Sequence, residues 1–320
     1  YAHAHPALPR PTNPCGYEQC AYSPNLSRYL RELCPAQPDD SPVLMMAEAG
    51  GRGAGLAKML TGDRGALDMV MDASYLNRTQ NRREQDGSLT LADIKQYFIR
   101  AEEEYGQFRW MSLLFENPDM PRLVSRLGAS PIYRGILAKL LGTLLLTLRG
   151  TPIVYQGEEL GLPNTRFASA TELCSAQAQR MYQELRERMG DAAALQAVLP
   201  VACDHARLPM PWRAGLNGVF TGAAPWMRLN YGIDYLNAGA QMEDPKSVWN
   251  HYRRLVAQRK KSAGLVYGSF NPVFVKNKKV FCYFRIHEGE KWYVEINLTE
   301  REVARPGRIL PSQHLVLSNY

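Results

Sequence analysis

The sequence predicts an α/β fold in which strand–loop–helix units follow one another and build a parallel sheet, with a small antiparallel β domain at the C-terminal end. Three observations carry this. Short apolar runs alternate with segments of helical periodicity. Acidic residues sit just past the apolar runs, where the loops at the carboxyl ends of parallel strands hold functional groups. From about Tyr267 onward, β-rich segments are separated by short polar turns.

The units read in order as follows. Ser41–Ala49 (SPVLMMAEA) is an apolar run closed by Gly50 and Gly51, which suits a buried parallel strand ending in a loop. LDMVMD is a second such run. In LTLADIKQYFIRAEEEYG, Leu91, Ile94, Phe98 and Tyr105 fall near helical spacing, with a start at Ser88 or Thr90 and a stop at Gly106. RWMSLLFENPD reads as strand and loop, Ile132 to Leu148 as an apolar helix, and TPIVYQGEELG as strand and loop again. DPKSVWNHYRRLVAQRKK is a long helix capped by Asp244, with Pro245 in its first turn and Val248, Tyr252, Leu255 and Val256 on its apolar face. The last segment, NPVFVKNKKVFCYFRIHEGEKWYVEINL, reads as strands joined at KNKK and HEGE. The organisation expected is a proline-rich lead-in and helix over 1–40, a β/α unit over 41–264 and an antiparallel β domain over 265–320.

Composition narrows the class. A chain of 320 residues that is 45% hydrophobic can bury a large core. The charge of +7 and the pI near 9.1 do not point to nucleic acid, because Lys and Arg are scattered, with short clusters at Arg82–Arg83, Arg259–Lys261 and Lys276–Lys279. The longest apolar stretch, around Ile136 to Leu148, is interrupted by Lys139, Gly142 and Thr143, so no membrane span is expected in this segment. Cys15, Cys20, Cys34, Cys174, Cys203 and Cys282 show no zinc-knuckle spacing, and His3 and His5 near the first three add no recognisable ligand order. Sequons begin at Asn25, Asn77 and Asn297 and permit, without requiring, an extracellular setting. The first residues, YAHAHPALPRPTNP, do not read as a signal peptide.

Taken alone, Glu48 reads as a solvated loop acid and Asp119 as a helix-capping or turn acid. Longer strings change that. FENPDMPRLVSRLG, LLLTLRGTPIVYQGEELGLPN, DHARLPMPWRAGLNGVFTG and PWMRLNYGIDYLNAGAQMEDPKSVWNHYRRLVAQRK resemble, in order and spacing, the second half of the α-amylase superfamily. Within it they look like the α-glucosidase, oligo-1,6-glucosidase and trehalose-phosphate hydrolase group. The resemblance implies the second half of a (β/α)8 TIM barrel followed by a β-sandwich-like C-terminal domain, and a retaining hydrolase of small α-linked glucosides.

It also assigns positions. Glu48 falls on the general acid/base at the end of the fifth barrel strand. Asp119 falls on the acid that holds the sugar hydroxyls next to the cleaved bond. Asn117 and Arg122 match its substrate-binding neighbours, and Arg207 matches the arginine near the sugar beyond that bond. No cofactor and no metal are implied. A retaining mechanism uses one carboxyl as acid/base and a second, about 5 Å away, as nucleophile; a third acid that grips ring hydroxyls favours the distorted, oxocarbenium-like sugar.

Departures cluster near these positions. Pro118 stands where the family has His, which removes an imidazole from the subsite. His205, Leu208 and Pro211 replace Asn, Thr and Gln in the DHARLPMPW segment, and Met71–Ser74 replace the region resembling FQFEH. The family's nucleophile lies in a G-F-R-x-D-like string before the acid/base, and residues 1–47 contain none. Four strands cannot close a barrel. The expectation is therefore that the chain is completed by a missing N-terminal half or a partner chain. Two readings stay open: an enzyme whose other half lies elsewhere, and a catalytically silent relative serving as a structural or carbohydrate-binding subunit, as in transporter heavy chains.

Overall fold

The computed structural model describes residues 25–33, 43–48, 60–61, 66–73, 75–76, 89–105, 110–128, 130–306 and 314–319. Cys15, Cys20, Cys34, His3, His5, Gly50, Gly51, Asn77, Arg82, Arg83, Ser88 and Gly106 lie outside them.

The first described elements are helix α1 (Leu26–Leu33) and strand β1 (Met46–Glu48), which pairs in parallel with β2 (Met69–Met71) in the register Met46–Met69 to Glu48–Met71. Helix α2 (Leu91–Tyr105) starts at Thr90, where a reciprocal cap forms. Thr90 Oγ1 accepts from the Asp93 N–H at 3.2 Å, and Asp93 Oδ2 accepts from the Thr90 N–H at 3.0 Å. Ile94, Phe98 and Ile99 make its buried stripe. Strand β3 (Ser112–Leu114) is fully buried and pairs in parallel with β4 (Thr151–Ile153). The Ser112 hydroxyl donates to the Val70 carbonyl at 2.7 Å and joins the two strand pairs. Among the described residues the four strands thus form two parallel pairs, in the expected order along the chain, rather than one continuous sheet.

Between β3 and β4 lie the short helix α3 (Leu123–Arg126) and the apolar α4 (Arg134–Thr147). After β4 come α5 (Ala176–Met189), α6 (Asp191–Val198), α7 (Ala238–Glu243), α8 (Val248–Lys261) and α9 (Ala263–Tyr267). Ser247, not Asp244, caps α8: its Oγ accepts from the Asn250 N–H at 3.0 Å. Asp244 instead closes the turn before it, accepting from the Lys246 N–H at 2.8 Å, because α7 ends there.

The expected buried strand at the first run is a correction. β1 is short, and Met46 and Glu48 are exposed, since among the described residues only β2 pairs with it. The sandwich-like expectation is corrected too. Among the described residues the C-terminal unit is one antiparallel sheet of β5 (Ser269–Val273), β6 (Val280–His287) and β7 (Glu290–Asn297). Its second layer is the helices: Phe270, Phe281, Tyr283, Val294 and Ile296 join one core with Leu140, Leu144 and Tyr252. The HEGE turn forms as read, with Glu288 at φ 44° and Gly289 at φ 88°, the left-handed pair a two-residue hairpin needs.

Buried cations fasten this sheet to the helices. Arg285, fully buried, donates to the Thr147 carbonyl at 2.5 Å and to the Gly268 carbonyl at 2.8 Å. Arg259 donates to the Leu146, Leu148 and Gly150 carbonyls at 2.9, 3.1 and 2.5 Å. Burial lowers the Arg285 pKa to about 10, which leaves it charged at neutral pH. These guanidiniums satisfy carbonyls that the C-terminus of α4 would otherwise leave unpaired. Lys95 does the same for the β5–β6 turn, with its Nζ 2.6 Å from the Asn277 carbonyl and 2.9 Å from the Val280 carbonyl.

Helices α4 and α8 approach closely where Gly142 faces the Tyr252 ring, and a Cβ at residue 142 would strike that ring. Overpacking of this kind costs about 1–3 kcal/mol, against roughly 1 kcal/mol that Ala gains over Gly in a helix. Gly142→Ala is therefore expected to lower the urea midpoint modestly and Gly142→Val to lower it more. Equal midpoints for all three proteins would show that the contact is not tight.

Candidate functional site

The loop after β3 carries the site. Phe115, Glu116 and Asn117 remain buried at its start, Pro118 and Asp119 emerge into solvent, and the chain returns inward at Met120 and Arg122. Asn117 Oδ1 accepts from the Asp119 N–H at 3.0 Å, closing a local turn that holds the acid. Pro118 restricts Asn117 to extended backbone and offers a carbonyl but no N–H.

Arg207 grips both exposed residues. Its Nε donates to the Pro118 carbonyl at 2.7 Å and its Nη2 to Asp119 Oδ1 at 2.9 Å. The Asp119 side chain is 62% exposed and that of Arg207 36%, so solvent screens the pair and the carboxylate keeps a free edge. Arg207 follows a single-turn 3-10 helix, Cys203–Ala206, whose end is pinned from behind: the Tyr155 hydroxyl donates to the Ala206 carbonyl at 3.0 Å.

Arg122, expected to bind substrate, is instead buried at 1% exposure. Its Nη1 donates to Glu116 Oε2 at 2.8 Å and to the Gln156 carbonyl at 2.7 Å, and its Nη2 reaches the Ala206 carbonyl at 3.4 Å. The correction follows from burial: with those groups bound inward, Arg122 ties the loop after β3, the loop after β4 and the turn before Arg207. Gly157 permits this by its left-handed φ of 85°, and a Cβ there would lie 3.0 Å from Arg122 Nη2. A reciprocal link reinforces the same junction. The Arg122 N–H donates to Asn164 Oδ1, and the Asn164 N–H to Ser125 Oγ, both at 2.9 Å.

Asn117, Asp119 and Arg207 are thus brought together, while Arg122 stands behind them. Glu48 stands exposed at the end of β1, and among the described residues no hydrogen bond or ion pair joins it to the group. His205 and Leu208, expected as pocket changes, are core residues. The His205 Nε2 is 2.9 Å from the Leu199 carbonyl and its ring centroid 5.1 Å from that of Phe167; burial lowers its pKa, so the ring is neutral. Leu208 packs with Phe167, Val198 and Met227. Their replacement of polar residues repacks a wall rather than an exposed face. Among the described residues no cluster of His, Cys, Asp or Glu could hold a metal ion, and no helix is long and apolar enough to cross a membrane.

Two groups escaped the sequence reading. Glu116 accepts from Arg122 and from the Leu123 N–H, the latter at 2.6 Å. Tyr252, assigned to an apolar face, donates its hydroxyl to buried Glu158 at 3.1 Å. The signal for the first was a carboxylate directly after an apolar strand; the second had none, since a tyrosine on an apolar stripe reads as core.

Parallel strands in series, with polar groups gathered in the loops at their carboxyl ends, define an α/β protein of the β/α-barrel class. The model of the alpha amylase catalytic domain matches residues 5–268, and the chain belongs to that family. It is 32% identical to the oligo-1,6-glucosidase of Halalkalibacterium halodurans over 98% of this chain and 58% of the relative. It is 34% identical to the trehalose-6-phosphate hydrolase of Escherichia coli over 71% of this chain and 42% of that enzyme. Among solved structures, the trehalulose synthase MutB from Pseudomonas mesoacidophila MX-45 superposes with a TM-score of 0.79 at 29% identity, covering 89% of this chain and 53% of MutB. The chain spans about half the length of the curated relatives it matches.

The two arginines at this site differ in burial and so in what their removal costs. Arg122→Met removes the guanidinium that pairs with buried Glu116 and is expected to lower unfolding free energy by about 3–5 kcal/mol. Arg207→Ala breaks a half-exposed pair and is expected to cost less than about 1 kcal/mol. Chemical denaturation of both variants checks this, and a reversed order would refute the assignment of Arg122 as the structural member.

Proposed function

We propose that this chain supplies the sugar-gripping side of a retaining glycosidase acting on small α-linked glucosides. The observation that carries the reading is the Asp119 carboxylate, held on a turn by Asn117 and Arg207 with one edge open to solvent. A carboxylate fixed before substrate arrives can accept hydrogen bonds from vicinal hydroxyls of a glucosyl ring and strengthen them as the ring flattens. In this reading Glu48, at the carboxyl end of β1, protonates the departing oxygen, and Arg207 lies beside the sugar beyond the cleaved bond. Arg122 and Asn117 support Asp119 from within.

The mechanism needs a second carboxylate about 5 Å from the acid/base. Given that the chain spans about half of its curated relatives, we take that nucleophile and the remaining barrel strands to come from polypeptide outside residues 41–320, within the same protein or in a partner chain. The names of the relatives, oligo-1,6-glucosidase and trehalose-6-phosphate hydrolase, favour small α-glucosides over long polymers. Pro118 favours one alternative, a silent sugar-binding or structural relative, because it offers no side-chain donor where a family member has His.

Hydrolysis of p-nitrophenyl α-glucoside by the full-length gene product or native complex separates the two. The glycosidase reading expects turnover that Glu48→Gln and Asp119→Asn each reduce by about 10²–10⁴-fold. Folded protein without turnover above background would establish the silent relative.

A further inference from the structure

Behind the Asp119–Arg207 pair the charges do not balance. Glu116 and Glu158, 4% and 5% exposed, line one small cavity of about 10 Å³ together with Leu123, Leu141 and Tyr252. A cavity of that size has room for at most about one water. Arg122 bonds Glu116 directly, and Arg126 also lies within electrostatic reach of Glu116; among the described residues no ion pair joins a cation to Glu158. The other Arg122 bonds go to carbonyls, and Arg134, beside the Glu158 turn, directs its Nη1 to the Leu160 and Gly161 carbonyls.

Among the described residues, the hydrogen bonds to Glu158 come from neutral groups. Its Oε2 accepts from the Tyr155 N–H at 3.2 Å, and its Oε1 lies 3.1 Å from the Tyr252 hydroxyl. Other titratable groups acting on this junction are Tyr75, Glu159 and, near Glu116, Tyr155 and Arg126. Two buried carboxyls with one cation between them cannot both stay ionised at low cost; the group without the cation takes up a proton.

We propose that Glu116 and Glu158 hold one proton between them, carried on Glu158, and that this neutral acid, with Arg122 and Tyr252, positions the Asp119 loop against the turn bearing Arg207. Glu158 is thus a positioning residue. The inference rests on the proposed role of the Asp119–Arg207 pair for its functional meaning, but the protonation itself does not. The proton sits on Oε1, where either that O–H or the Tyr252 O–H can donate to the other. Burial first, and then the adjacent Glu116 charge, hold the Glu158 carboxyl well above the ordinary range, with the Tyr155 N–H and the Tyr252 hydroxyl working the other way. Burial likewise raises the Tyr252 phenol, so it stays neutral.

The sign of the pH dependence follows. A carboxyl whose folded pKa exceeds its unfolded value of about 4.3 binds more protons folded than unfolded. Its stabilising contribution is complete below that unfolded value and is lost as pH rises through the folded one.

The first test is infrared spectroscopy of the full-length protein at neutral pH. A protonated-carboxyl band that shifts with isotope-labelled glutamate is expected in the wild type and is lost in Glu158→Gln. Its absence from the wild type, or its persistence in Glu158→Gln, would overturn the assignment. Between about pH 5 and about pH 8 the wild-type Tm should fall by about 3 °C more than that of Glu158→Gln, which cannot titrate; equal slopes would also overturn it. Positioning is read by nitrogen NMR on the Arg207 Nε–H, which reports the bond to the Pro118 carbonyl. That resonance is expected to be retained in Glu158→Gln and to move toward the solvent-exposed position in Glu158→Ala. An unmoved resonance in a folded Glu158→Ala protein would remove the positioning role. None of these readouts needs turnover, so an inactive protein that passes them rejects the glycosidase reading alone.

Discussion

The site depends on one buried positive charge. Arg122 draws three separate stretches of chain together: the loop after β3 through Glu116, the loop after β4 through the Gln156 carbonyl, and the turn before Arg207 through the Ala206 carbonyl. A planar guanidinium with donors in a fixed fork suits this work, whereas a lysine ammonium would have to choose among the acceptors. Because the charge is out of solvent, its bonds are worth more than surface pairs, and losing any acceptor leaves a costly orphan. The exposed pair, Arg207 with Asp119, inherits its geometry from this junction rather than from its own attraction, which solvent screens.

The same device recurs on the far side of the core. Arg285, Arg259 and Lys95 all bond carbonyls, and together they fasten α4, the β5–β6 turn and the connections around Gly150 and Gly268. The Tyr283 hydroxyl, 2.6 Å from Thr147 Oγ1, adds a link from β6 to α4. The C-terminal sheet therefore acts as a buttress for the helix that backs the site. Its inward face supplies Phe281 and Tyr283 to the core that includes Tyr252, and Tyr252 reaches Glu158. A continuous packed path thus joins the sheet to the turn beneath Arg207.

Much of this was legible in the sequence. The strand–loop–helix order, the α2 boundaries at Thr90 and Tyr105 and the HEGE hairpin all follow from local rules of capping, periodicity and turn chemistry. Local rules failed where tertiary contact decides. Asp244 and Ser247 are both competent caps, and only the end of α7 shows which one faces the first turn of α8. Arg122 matched a substrate-binding position by register, and register says nothing about which way a long side chain runs. His205 and Leu208 read as departures near the site but fill a hydrophobic wall, because a change of residue type in a motif does not reveal its exposure. Glu116 and Glu158 stand 42 positions apart in the numbering, and nothing in the chain indicates that they share a cavity.

The most direct measurement of the central claim is a double-mutant cycle on unfolding free energy with Glu116→Gln, Arg122→Met and the double variant. If the buried guanidinium organises the site through Glu116, the two changes couple by about 2–3 kcal/mol. Additivity within about 0.5 kcal/mol would contradict it: the three loops would then be held by their carbonyl contacts and packing, with Arg122 one contributor among several.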